Sequence, residues 1–112
     1  MRILGALLLL ASAPLIAADD PAGIAFFEQK IRPVLIEQCY ECHSTQAKKL
    51  KSGLYLDSKA GWLKGGESGK PIITPGQPDQ SLLLRSIQHL EPDLEMPPKK
   101  PKLTDAVVAE FA

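Results

Sequence analysis

The chain has 112 residues, 45% hydrophobic and 23% charged, with 13 basic and 13 acidic side chains. That length holds one small domain, and a formal charge of zero excludes the strong field that recruits nucleic acid or an acidic membrane surface. The two cysteines fall in one short motif, which excludes a disulfide framework between distant segments.

The opening segment, MRILGALLLLASAPLIAADD, carries Arg2, an unbroken apolar run from Ile3 to Ala11, and small residues up to Ala17 and Ala18. This is the layout of a signal peptide over residues 1–18, with an apolar run well short of the ~20 residues that span a bilayer. The expectation is an exported chain, periplasmic or otherwise extracytoplasmic, with residues 19–112 as the domain and no membrane span after cleavage. Loss of Arg2 takes the formal charge from zero to minus one. A domain of that size buries a thin core and commonly draws stability from a metal, a cofactor or a disulfide.

PAGIAFFEQKIRPVLIEQC places Ile24, Phe27, Ile31 and Leu35 at spacings of three and four, which predicts a helix with one buried face. Pro33 interrupts its hydrogen-bond ladder, so two turns, a kink and a further turn running into Cys39 are expected. Ser44 to Lys51 is polar and basic and reads as exposed loop. GLYLDSKAGWLKGGESG alternates Leu54, Tyr55 and Leu56 ahead of Asp57, the expected cap of a short helix that Gly65 and Gly66 end. KPIITPGQPDQ is turn chemistry, with Pro75, Gly76 and Pro78 fixing the backbone. Asp79 is expected to cap the next helix, whose Leu82, Leu83, Ser86, Ile87 and Leu90 form an apolar face. The proline-rich EPDLEMPPKKPK holds no regular structure for long. LTDAVVAEFA begins another helix with Thr104 as cap and Val107, Val108 and Phe111 apolar; it meets no stop signal and reads as cut in mid-helix.

Chemistry concentrates in CYECHS, residues 39–44. A redox dithiol of this spacing belongs at the start of a helix in a strand-rich domain, whereas here the motif follows a helix. A structural zinc site needs four ligands, and the only other histidine, His89, has no second cysteine pair beside it. Covalent haem attachment needs what is present: Cys39 and Cys42 one helical turn apart to add to the two vinyl groups of one porphyrin edge, and His43 directly behind to give its imidazole to the iron.

The second axial position falls to Met96 in EMPP, where Pro97 and Pro98 stiffen the backbone and lower the entropic cost of holding a thioether at the metal. The plain alternative is that Met96 fills a gap in the core. His89 competes for the iron, although a surface histidine near a helix C-terminus is ordinary. Met1 is the only other methionine and leaves with the signal.

With these residues in view the chain resembles class I c-type cytochromes, and more closely the planctomycete-type cytochrome c domain. The resemblance runs from about Phe26 to the last residue, on IRPVLIEQCYECHS, SGLYLDS, GWLKGGESG, ITPGQPDQSLLLRSI and DLEMPPKKPKLTD in that order. It implies a small all-α fold around one covalently attached haem c, with Cys39 and Cys42 as anchors, His43 as proximal and Met96 as distal ligand. In the family the helix begun at Thr104 continues for about two further turns with a tryptophan and packs across the first helix, and acidic or amide residues follow its cap. Here Ala106 and Val107 stand there and the helix stops at Ala112. Members often lead much longer secreted proteins, so the chain is expected to be a fragment of one, with further domains in the parent chain, or a truncated reading frame; the missing helix turns then predict exposed apolar surface on the first helix and low stability.

An iron held by His43 and Met96 has no vacant position, so one-electron exchange is expected, with no substrate at the metal and no catalytic residue. The chain then reads as an electron carrier and not itself an enzyme, with an unspecified redox partner protein. A ligand-binding or sensor module with a labile distal methionine is the alternative. An iron that turns over peroxide is a third, and it lacks a distal acid or base beside Met96. A carbonyl between Pro71 and Gly76 is expected to receive the second ring nitrogen of His43. Trp62, Tyr55 and Arg85 are candidates for the haem propionates, against simple packing or solvation. Lys99, Lys100 and Lys102 are candidates for docking an acidic partner, against a merely solvated run.

Overall fold

The computed structural model describes residues 20–112, so the expected signal peptide, residues 1–18, lies outside the described residues. Among the described residues there are helices and turns and no strand, which is the all-α architecture the sequence implies. The first helical stretch starts where Asp20 accepts the N–H of Ala22 and Pro21 occupies the first turn. It then runs as α1 (Pro21–Phe26), a π segment (Phe27–Ile31) and α2 (Arg32–Gln38). The interruption expected at Pro33 takes the form of this π segment. The N–H of Arg32 reaches back to Phe27 O, and the extra residue in the turn absorbs the bond that a proline cannot make.

That insertion also changes which side chains are buried. One added residue rotates the preceding helix by about 100° relative to the rest. Leu35 is buried and Phe27 and Ile31 are half-buried, whereas Ile24, on the far side of the π segment, is 51% exposed and Phe26 46%. The expected apolar face therefore begins one turn later than its spacing predicts, and Ile24, Phe26 and Ile36 stand exposed.

α3 (Lys59–Lys64) is capped by Ser58, whose Oγ accepts the N–H of Gly61, and not by Asp57. The Asp57 carboxylate is instead taken by the backbone N–H and hydroxyl of Thr45. Gly65 ends the helix at φ 71°, a left-handed conformation that suits a residue without a side chain. After the turns of residues 71–77, Asp79 lies inside a 3₁₀ turn (Pro78–Gln80), and α4 (Leu82–Ile87) begins after Ser81. Ser81 gives α4 no side-chain cap, because its hydroxyl bonds the backbone of Thr74 and Gln77. α4 is six residues long, and Leu90 lies beyond it, exposed. α5 (Asp105–Phe111) has the expected cap, Thr104 Oγ1 accepting the N–H of Val107, and buries Val108.

Two apolar clusters hold these pieces together: Leu35 with Leu56 and Ile72, and Leu84 with Ile87 and Val108. Leu83 and Phe111 pack against both and join them. Short helices cannot sustain themselves in water, so their order comes from this shared burial.

Candidate functional site

α2 closes onto Leu35, whose carbonyl accepts the N–H groups of both Cys39 and Tyr40. The carbonyl of Cys39 then accepts from Cys42 and from His43, at 3.2 and 3.0 Å, so the chain keeps coiling through the motif and sets the two thiols one turn apart. Ser44 fastens the far end by donating its hydroxyl to Tyr40 O at 2.6 Å, and it is buried, unlike the exposed loop expected from residue 44 onward. The loop folds back: Lys51 N–H donates to Cys42 O and Leu56 N–H donates to His43 O, at 3.0 and 2.8 Å. The imidazole is thus held between the end of a helix and the buried Leu56.

Cys39, Cys42, His43 and Met96 line one cleft of about 260 Å³. Its walls are Leu54, Leu56, Ile72, Leu82, Leu83 and Ile87, drawn from both core clusters, and Ser52, Glu67 and Ser68 add polar groups. Met96 also packs against the Ile87 cluster, so it faces the cleft from a core that supports it. Its N–H donates to Ser86 O at 3.1 Å. A second cavity of about 310 Å³ lies between the first helical stretch and α5, lined by Phe27, Trp62 and Phe111 among others. It contains no thiol, imidazole or thioether, so it cannot be the place of covalent attachment.

Burial sets the electrostatics. The Cys39 thiol is pushed up to about 11, by desolvation first and then by the neighbouring Cys42, while Lys100 draws it partly down. At neutral pH Cys39 is therefore a neutral thiol in an apolar wall, and Lys100 is near enough to act on it. His43 is 6% exposed, and desolvation lowers its pKa, opposed in part by the carbonyls of Leu54 and Lys51. Those carbonyls bias the ring toward its protonated form without meeting hydrogen-bond geometry at Nδ1, which is buried and has no partner. The partner expected between Pro71 and Gly76 does not bond this ring. The neutral imidazole is the form that ligates a metal, while the hydrogen bond that usually orients a ligating ring through its other nitrogen is not made at Nδ1.

The donor set fits haem and fits zinc poorly. Among the described residues no three His, Cys, Asp or Glu side chains converge as a metal cluster, whereas tetrahedral zinc requires four ligands on one point. Two free thiols at one edge, an imidazole and a thioether, spread around an apolar cleft, suit a broad flat macrocycle with iron at its centre.

Trp62, Tyr55 and Arg85 do not line the cleft. The Trp62 indole N–H donates to Leu56 O at 2.8 Å and its ring lies 5.7 Å from that of Phe27, while Arg85 pairs with Glu91 at 2.9 Å. Trp62 thus packs against Phe27 and closes onto Leu56, and Arg85 ties the loop after α4. His89 does not enter the cleft either; its Nε2 lies 3.2 Å from Met96 O, a contact that spacing alone could not reveal because it depends on how the 88–96 loop closes. Among the lysines, Lys102 pairs with Asp105 at 3.3 Å, and Lys99 and Lys100 are exposed.

A family model described as planctomycete cytochrome C matches residues 39–100, from the first cysteine of the motif to beyond Met96 and more than half of the chain. No curated protein and no solved structure matches the chain.

Proposed function

The chain belongs to the planctomycete cytochrome C family, and on that premise we propose that it is an exported electron-transfer module, with one haem attached at Cys39 and Cys42 and held axially by His43 and Met96. The observation that carries the reading is that these four side chains, three local and one far along the chain, meet in one apolar cleft. When bound, the haem supplies one-electron exchange between ferrous and ferric iron.

Each residue has a defined task. The Cys39 and Cys42 thiols would hold the group covalently, each S–H adding across one of its vinyl double bonds, and so would fix its orientation. His43 offers a neutral imidazole, and the Leu56–His43 backbone bond keeps it in place. Met96 offers a soft thioether from a loop anchored on α4 and raises the potential relative to a harder ligand. Leu54, Leu56, Ile72 and Ile87 exclude water and lower the local dielectric. If His43 and Met96 both bound the iron, no position would be left on it for a substrate, and the chemistry supplied would be electron exchange alone. Lys99 and Lys100 stand exposed behind Met96 and suit an acidic redox partner. Among the described residues no helix is long and apolar enough to cross a membrane, and the leading segment supports export.

The test is the haem-loaded chain with Met96→Ala. The substitution is expected to open the iron to carbon monoxide and lower the midpoint potential. An unchanged spectrum and potential would remove Met96 as ligand. Ready binding of carbon monoxide by the parent chain would favour a ligand-binding module with a labile methionine.

A further inference from the structure

We propose that His89 is the positioning residue for Met96, an inference that rests on the reading of Met96 as the distal ligand. The observation is geometric. α4 ends at Ile87, and Gln88 closes it with its N–H on Leu84 O. His89 then takes φ 56°, a left-handed conformation that side-chained residues adopt rarely and that histidine tolerates better than most. The reversal lets the loop fold back on its own helix: Leu90 N–H donates to Arg85 O at 2.9 Å, Leu94 N–H to Glu91 O at 3.2 Å, and Arg85 Nε to Glu91 Oε2 at 2.9 Å.

The loop returns Met96 to the C-terminal turn of α4. Ser86 O accepts the N–H of Met96 and that of His89, each at 3.1 Å. The imidazole of His89 closes the other side, with Nε2 3.2 Å from Met96 O. A carbonyl oxygen only accepts, so Nε2 carries the proton and donates. The Met96 N–H is thereby tied to α4 and its carbonyl to the turn that follows the helix, and its thioether is left to the cleft. His89 is the only side chain in this arrangement that bonds the Met96 backbone among the described residues. The left-handed turn at His89 and its ring contact support one another: the turn aims the ring at Met96, and the bond helps to hold the turn. Losing the donor frees one side of the loop and raises the fraction of molecules with the thioether off the metal, which an exogenous ligand reports directly.

The experiment uses the haem-loaded chain and three variants, His89→Leu, His89→Gln and Met96→Ala, with carbon monoxide titrated against the ferrous protein and the midpoint potential measured alongside. Leucine and glutamine meet the same backbone conformation at similar size, and only glutamine keeps a donor for Met96 O. His89→Leu is expected to bind carbon monoxide roughly three- to tenfold more tightly than the parent, the factor one neutral hydrogen bond supplies, and at a lower potential, while His89→Gln stays within about twofold. Wild-type affinity and potential in both His89 variants, or equal displacement of both, would overturn the positioning role. Met96→Ala tells the two readings apart. If it raises carbon monoxide affinity while His89→Leu does not, His89 alone fails; if Met96→Ala itself changes nothing, the distal assignment fails and the positioning role with it.

Discussion

Gly61→Ala puts the packing around His43 to a test in which two effects oppose each other. Gly61 is buried within α3, and in an ordinary helix interior alanine is favoured over glycine by about 1 kcal/mol. A Cβ at this position, however, would fall inside contact distance of Tyr55 O, 2.8 Å from Tyr55 Cβ and 2.9 Å from the Tyr55 carbonyl carbon. Overpacking a well-filled site costs about 1–3 kcal/mol, and main chain yields less readily than a side chain, so a cost near 3 set against a gain near 1 leaves about 2 kcal/mol of destabilisation. For a domain of this size that lowers Tm by about 8–16 °C. The displacement is expected to reach the site, because the next residue, Leu56, donates its N–H to His43 O and accepts the Trp62 indole N–H, each at 2.8 Å. Urea and thermal unfolding of the haem-loaded protein, followed by circular dichroism and the haem absorbance, measure it. Ala60→Gly, at the exposed neighbouring position, is the control and is expected to lose only the propensity difference, about 1 kcal/mol. If Gly61→Ala matches or exceeds the parent's stability while Ala60→Gly loses its share, α3 does not seat its glycine on the Tyr55 backbone and the account of this wall is wrong.

Ile87→Ala removes a side chain only 2% exposed that belongs to the core and to the cleft wall, and is expected to cost about 2–5 kcal/mol in denaturant unfolding; a loss well below that range would mean the wall is loosely packed. Cys39→Ala and Cys42→Ala, made singly, are each expected to keep one thioether and a haem-staining band on a denaturing gel, with the pyridine haemochrome band moved to longer wavelength because one vinyl group stays conjugated with the ring. A parent-like spectrum in either variant would exclude that cysteine as an anchor. Asp57 has its pKa lowered, chiefly by the Thr45 N–H, which outweighs the opposing effect of burial and is helped by the Thr45 hydroxyl. The unfolded chain therefore binds the proton first as pH falls: the contribution is complete above the ordinary aspartate pKa of about 4 and disappears as pH drops through the lower folded value. Unfolding of the parent and of Asp57→Asn from pH 7 to pH 3 checks the sign, since the difference between them should shrink toward acid; a constant gap would show that the carboxylate is not held by Thr45.

What could be read from the sequence was whatever the chain decides locally. The Cys39–His43 spacing survives into the structure because one helical turn sets it, and Thr104 caps α5 because the N–H it serves is three residues away. Met96 could be named as a candidate from its setting in EMPP, and it does line the cleft with the motif, although its return to Ser86 is not legible locally. Expectations failed where a side chain was claimed from a distance. Asp57 has the chemistry of a helix cap, but Thr45 holds it from twelve residues back, so the cap passes to Ser58. Ser81 is similarly taken by the 74–77 turn, and the stripe from Ile24 to Leu35 is broken by a π segment that the periodicity does not encode. His89 is the instructive case, because spacing offers it only as a rival for the metal or a solvated surface residue. Its place depends on a left-handed turn and on the loop coming back to Ser86, and neither leaves a local mark in the sequence. The same non-local logic governs the two sides of the cleft. The His43 side hangs on Leu56 and the Met96 side on α4, and Leu83 and Phe111 join the clusters to which these belong. A change in the shared core should therefore displace His43 and Met96 together, whereas changes at Leu56 or His89 should act first on one.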